Sequence, residues 1–187
     1  MRWNLRSAAG AAGAALVACI LAAAVPRVAP AGELLLTREA VVDGSADDVW
    51  RLIATKRGME SWLVPHAEVD MRAGGLVRTN HDPDGRIGDS KTVTNRVLAL
   101  KPKRMFSIQV TEAPREFPFA EMLQGTWYEI FLDPLPHAQT RVRCVGHGFT
   151  SDPVGFTARA FVDRGSAWAM EQLERTLLSR RGKSSGR

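Results

Sequence analysis

The sequence predicts an α+β fold: one curved antiparallel sheet with two short helices and a long C-terminal helix. Three observations predict it. Two apolar clusters at helical spacing, Val49, Leu52 and Ile53 and then Met59, Trp62 and Leu63, follow the first strand-like run. From about Glu68 to Phe149 the apolar pattern shifts toward a period of two and is broken by glycine-rich turns. After Gly165, the residues Ala169, Met170, Leu173 and Leu177 recur on one helical stripe. At 187 residues, 45% hydrophobic and 24% charged, the chain suits one domain with a sizeable core and excludes disordered and collagen-like classes.

Residues 1–31 read as a signal peptide. Arg2 and Arg6 supply a positive start, Ala8 to Val25 form an uncharged and largely apolar stretch, and Ala29-Pro30-Ala31 offers the small-x-small pattern that a signal peptidase accepts. The mature chain is then expected to begin at Gly32 and to be exported, periplasmic or secreted. Two alternatives stand beside ordinary cleavage. Leu16-Val17-Ala18-Cys19 resembles a lipobox, in which Cys19 would be lipidated, and the apolar stretch is just long enough to serve as an uncleaved membrane anchor.

The leader also carries much of the positive charge. The chain has 25 Lys and Arg against 20 Asp and Glu, and three of the arginines, Arg2, Arg6 and Arg27, lie before residue 32 with no acid beside them. The remainder is close to neutral, so nucleic acid is not expected as a partner. Arg180, Arg181, Lys183 and Arg187 fall in a Ser/Gly-containing stretch, residues 180–187, expected as a basic flexible tail that would touch an anionic membrane surface if any part of the domain does. Cys19 leaves with the leader, so Cys144 has no intramolecular disulfide partner.

The domain is expected over residues 32–179. Glu33 to Val42 reads as a first strand ended by Asp43-Gly44, and Ser45 with Asp48 three positions on forms a capping box for a helix over about 46–55. A second short helix carries Met59, Trp62 and Leu63 as far as Pro65. Ala73-Gly74-Gly75 would turn a strand over 68–72 into one over 76–80, and Asp82-Pro83-Asp84-Gly85 is a second turn. Strands follow over 91–100 and 104–111. The periodicity then fails from Thr111 to Gly125, a loop with the apolar cargo Phe117, Phe119 and Met122.

In the hairpin from Thr126 to Phe149, alternation puts Tyr128, Ile130 and Leu132 with Val142 and Cys144 on one face. Glu129, Asp133, Arg141 and Arg143 take the other, where Trp127 and Phe131 are out of keeping and would pack under a loop or mark a contact surface. Asp152-Pro153 is a good helix start, and the helical signal strengthens after Gly165. The stripe of this last helix needs a cover, and the concave face of the sheet is the only partner large enough.

The order of elements resembles the START-like, or SRPBCC, superfamily with its helix-grip fold. The closer likeness is to the branch of activators of the heat-shock-protein ATPase, carried by Val49-Trp50, Trp62-Leu63 with Pro65, Gly74-Gly75-Leu76, Lys101-Pro102-Lys103-Arg104, Thr140-Arg141-Val142, Gly148-Phe149, and Trp168 with Met170 and Leu173. The resemblance runs from about Leu34 to Leu178. It implies a cavity between sheet and last helix, used in many members for an apolar small molecule and in a few for cyclisation. Members of the branch often carry a polar residue, commonly histidine, at the place held here by Gly146, with His147 one step out of phase.

Reactive constellations are few. Cys144 and His147 are an odd number of strand positions apart and so face opposite ways. His81, Asp82 and Asp84 share a turn that the turn chemistry already explains, and no metal or cofactor is expected. His66 and His137 flank prolines and read as surface loop residues. The candidate site is the apolar set Trp62, Phe106, Ile108, Tyr128, Ile130, Val142, Cys144, Trp168 and Met170, lining an enclosed pocket for a small apolar or amphipathic ligand, with the 111–125 loop as its lid. Each would otherwise be plain core. An inward Tyr128 must find a hydrogen-bond partner. Two other readings stay open: a cyclase or hydrolase with Tyr128 and Glu121 as acid and base, and an interaction module using Trp127 and Phe131. Oligomeric state is left open.

Overall fold

The computed structural model describes residues 34–185, with side chains as far as residue 182. The expected signal peptide or anchor, Cys19, Lys183 and Arg187 therefore lie outside the described side chains. The elements follow the order β1 (Leu34–Val42), α1 (Ala46–Ile53), α2 (Lys56–Glu60), β2 (His66–Val69), β3 (Leu76–Asn80), β4 (Val93–Lys101), β5 (Met105–Glu112), α3 (Ala120–Leu123), β6 (Trp127–Leu135), β7 (Gln139–Phe149) and α4 (Pro153–Ser185). The strands form one antiparallel sheet in the order β1-β7-β6-β5-β4-β3-β2.

Local chemistry sets the helix starts. Ser45 Oγ accepts the Asp48 amide proton at 3.2 Å while Asp48 Oδ2 accepts that of Ser45 at 3.2 Å, closing the capping box of α1. The hydroxyl and amide of Ser45 hold the Asp48 carboxyl below its ordinary pKa. Val49, Leu52 and Ile53 on the inner side of α1 are buried. Thr55 caps α2 by accepting from the Gly58 amide at 3.0 Å, and the Trp62 indole donates to the Leu52 carbonyl at 3.1 Å, tying the two helices together.

Pairing in the β6–β7 hairpin puts apolar opposite apolar. Ile130 faces Cys144 and Leu132 faces Val142, while Asp133 faces Arg141 on the other side. The discordant outer aromatics are each covered by a neighbour on β7. Trp127 stacks on His147 with ring centroids 3.6 Å apart and planes 2° from parallel, and the Arg143 guanidinium lies 4.5 Å from the Phe131 centroid. His147 is 6% exposed, with Glu129 Oε2 3.5 Å from its Nε2. These contacts half-bury both rings.

Several expectations need correcting. β2 covers 66–69, since the chain leaves the ladder for a turn in which the Gly75 amide donates to the Arg72 carbonyl at 2.8 Å and Gly74 takes φ 78°. His66 consequently sits in a strand, half-buried, with its Nε2 3.1 Å from the Pro83 carbonyl. The apolar 111–125 stretch contains the short α3. The stretch expected as a flexible tail is helical through Ser185, because Arg180 donates to Ser61 Oγ at 2.9 Å and Arg181 lies 3.8 Å from Asp43, which anchors the last turns.

α4 is a single helix of 33 residues. Asp152 Oδ1 accepts the Gly155 amide proton at 2.8 Å, and that bond lowers the Asp152 pKa. Its stripe falls as expected, with Leu173 and Leu177 buried and Glu171, Glu174 and Arg175 exposed. Arg38, on the inner face of β1, binds Asp163 of α4 bidentately through one guanidinium edge, Nε donating to Oδ1 at 3.0 Å and Nη2 to Oδ2. Among the described residues no helix is long and apolar enough to cross a membrane.

Candidate functional site

Between α4 and the concave face of the sheet lies a two-part cleft. The inner compartment, about 210 Å³, is walled by Ile53, Met59, Trp62, Leu63, Phe106, Ile108, Ile130, Val142, Cys144, Ser166, Ala169, Met170 and Leu173. The outer compartment, about 360 Å³, is walled by Leu63, Thr79, His81, Val93, Val110, Ala113, Phe117, Leu123, Tyr128, Phe161, Val162, Gly165, Ser166, Trp168 and Ala169. Leu63, Ser166 and Ala169 belong to both, so the two spaces share a waist.

All nine side chains singled out from the sequence line this cleft: seven the inner compartment, Tyr128 and Trp168 the outer. The expectation of an enclosed pocket is corrected, because the rim residues Phe161 and Trp168 are 38% and 47% exposed and the outer part opens to solvent. The 111–125 stretch does lie at this mouth. Phe117 and Phe119 meet Phe161 edge-on, with centroids 5.6 and 6.2 Å apart.

The polar groups of the wall are specific in their settings. Tyr128 OH lies 3.3 Å from the Thr126 hydroxyl, which also reaches the Leu123 carbonyl at 2.7 Å. Burial pushes the Tyr128 pKa up to about 12, opposed by the Thr126 hydroxyl and reinforced by Cys144. Burial likewise pushes the Cys144 thiol up to about 11. Both groups are therefore neutral near neutral pH.

Tyr128 has room because Gly146 stands opposite it. The space that a side chain at 146 would claim is filled by the tyrosine ring, which answers the departure noted at this position.

Sequence reasoning missed His81, Thr79, Phe161 and Ser166. His81 is carried to the mouth by the loop after β3, which buried Asn80 holds in shape by donating to the Arg86 carbonyl at 3.0 Å and Asp89 Oδ1 at 2.8 Å. The part of its ring packed in the mouth is desolvated enough to lower its pKa. Asp82 in that loop is engaged by Lys91 and the Asp84 amide, and among the described residues no cluster of His, Cys, Asp and Glu is placed to hold a metal ion. Glu121 is exposed and outside the lining, so it is no partner for Tyr128 in acid–base work.

A family model described as polyketide cyclase/dehydrase and lipid transport matches residues 34–177. No curated protein matches the chain significantly. Many solved structures share the fold. A Mesorhizobium loti protein aligns with 22% identity and a TM-score of 0.63 over 79% of this chain and 98% of its own. The Aha1 dimer from Colwellia psychrerythraea aligns with 17% identity and a TM-score of 0.61 over 77% and 96%. Norcoclaurine synthase from Thalictrum flavum, in complex with dopamine and hydroxybenzaldehyde, aligns with 13% identity and a TM-score of 0.56 over 79% and 89%. At these identities the likeness is one of fold, the helix-grip arrangement of START-like proteins.

Proposed function

Because the chain belongs to the polyketide cyclase/dehydrase and lipid transport family, we propose that it is an exported binding protein that holds or carries a small apolar or amphipathic molecule between sheet and α4. The observation that carries this reading is the pair of adjoining, mostly apolar compartments, together within the usual size of small-molecule sites. The leader-like sequence before residue 32 supports export. Tyr128 and Cys144, held neutral by burial, support retention over turnover, since proton transfer works best with groups that titrate near the working pH. Organic extraction of protein purified from its own cell, followed by mass spectrometry, tests the proposal. A single stoichiometric small molecule is expected; an empty extract, together with no uptake from a panel of apolar probes, overturns it.

A further inference from the structure

We infer that the guest is an uncharged molecule with one hydrogen-bonding end, seated with that end among His81, Thr79 and Ser166 and with its apolar remainder in the inner compartment. This rests on reading the cleft as a binding site. Its first ground is the division of polarity. The inner walls are hydrocarbon and aromatic apart from the sulfurs of Met59, Met170 and Cys144 and, at the waist, the Ser166 hydroxyl. The one indole nitrogen there, of Trp62, is turned onto the Leu52 carbonyl. A hydroxyl or carbonyl driven inward would lose its water and gain no good partner.

The outer compartment is also mostly apolar but carries more polar groups. His81, Thr79 and Ser166 line it beside open solvent, whereas the Tyr128 hydroxyl is already engaged by Thr126. A single polar end is satisfied there while its tail stays dry.

The second ground is charge. No Asp, Glu, Lys or Arg lines either compartment. Asp163, on the same helix, is closed onto Arg38 and lies outside both linings. Partial burial lowers the His81 pKa, which disfavours its imidazolium as a counter-ion. An anionic or cationic guest would enter without a counter-ion, which low-dielectric surroundings penalise heavily.

Titration of the purified protein with octanol, octanoate and octanediol, followed by tryptophan fluorescence at about pH 8 where the carboxylate is ionised, tests this. Octanol is expected to bind about ten-fold or more tightly than either of the others. The double change His81→Leu and Ser166→Ala should weaken octanol several-fold. Octanoate binding as tightly as octanol, or a folded double variant that binds octanol unchanged, overturns the inference and leaves the cleft reading standing. Failure of all three probes to bind removes the cleft reading itself. The rank order in the unaltered protein decides the charge question however the variant folds.

Discussion

The Tyr128 ring lies against the bare backbone of Gly146 on the neighbouring strand, so close that a β-carbon at 146 would come within 3.0 Å of Tyr128 Cε1 and 3.3 Å of Leu36 Cβ. Gly146→Ala must therefore push the ring toward the outer compartment or prise β7 from β1. A loss of about 1–3 kcal/mol is expected, as for other overpacked interiors, with weaker guest binding. Thermal unfolding and probe titration check both, and an unchanged melting temperature would show that the contact is slack.

Tyr128 is the single tyrosine of the chain, which makes its ionisation readable by absorbance. It should titrate near pH 12 in the folded protein. The unfolded phenol, at its ordinary value of 10.0, loses its proton first, so the stability this group contributes is complete below about pH 10 and is lost as pH rises toward 12. Cys144 acts in the same sense between its ordinary 9.0 and about 11. Denaturant unfolding should show stability falling across this alkaline range. Tyr128→Phe should flatten the upper part of the fall by about 2 kcal/mol; an equally steep fall in the variant would contradict the assignment.

The Cys144 thiol should react slowly with a disulfide reagent near neutral pH, since the thiolate is the nucleophile and burial suppresses it. With Cys19→Ser as background, the native rate should be at least about ten-fold below that in denaturant. Octanol should slow it further by occupying the space beside the sulfur. Equal rates in native and unfolded protein would mean that the inner compartment is open to solvent.

Arg143→Ala removes the guanidinium that covers Phe131 on the outer face. A cost of about 0.5–1 kcal/mol is expected at such a half-exposed site, together with greater self-association as the ring is bared. Chemical denaturation and light scattering measure the two effects. Arg143→Lys should restore part of the stability because it retains a cation over the ring.

The sheet and both short helices were legible because their signals are local: the Ser45–Asp48 box, the Asp82 to Gly85 turn and the alternation from Tyr128 to Leu132 each act within a few residues. The same alternation placed the cleft-facing aromatics. What was illegible depended on partners remote in sequence. Nothing near Phe161 announces that it will meet Phe117 and Phe119. His81 looks like a turn residue until the Asn80 scaffold aims it at the mouth. The continuation of α4 through 180–185 rests on Ser61 and Asp43, more than a hundred positions upstream, and not on its own Ser/Gly composition. The outer aromatics were puzzling because their covers, His147 and Arg143, are polar residues that pattern reading assigns to solvent.

The grip of Arg38 on Asp163 and of Ser61 on Arg180 makes α4 a beam resting on two piers, and the span between them, Ser166 to Leu173, roofs the cavity. Lifting that roof for a thicker guest would mean breaking one or both of these ties. On the binding reading proposed above, girth is therefore expected to be limited by this span, and the open side of the cleft lies toward Phe161.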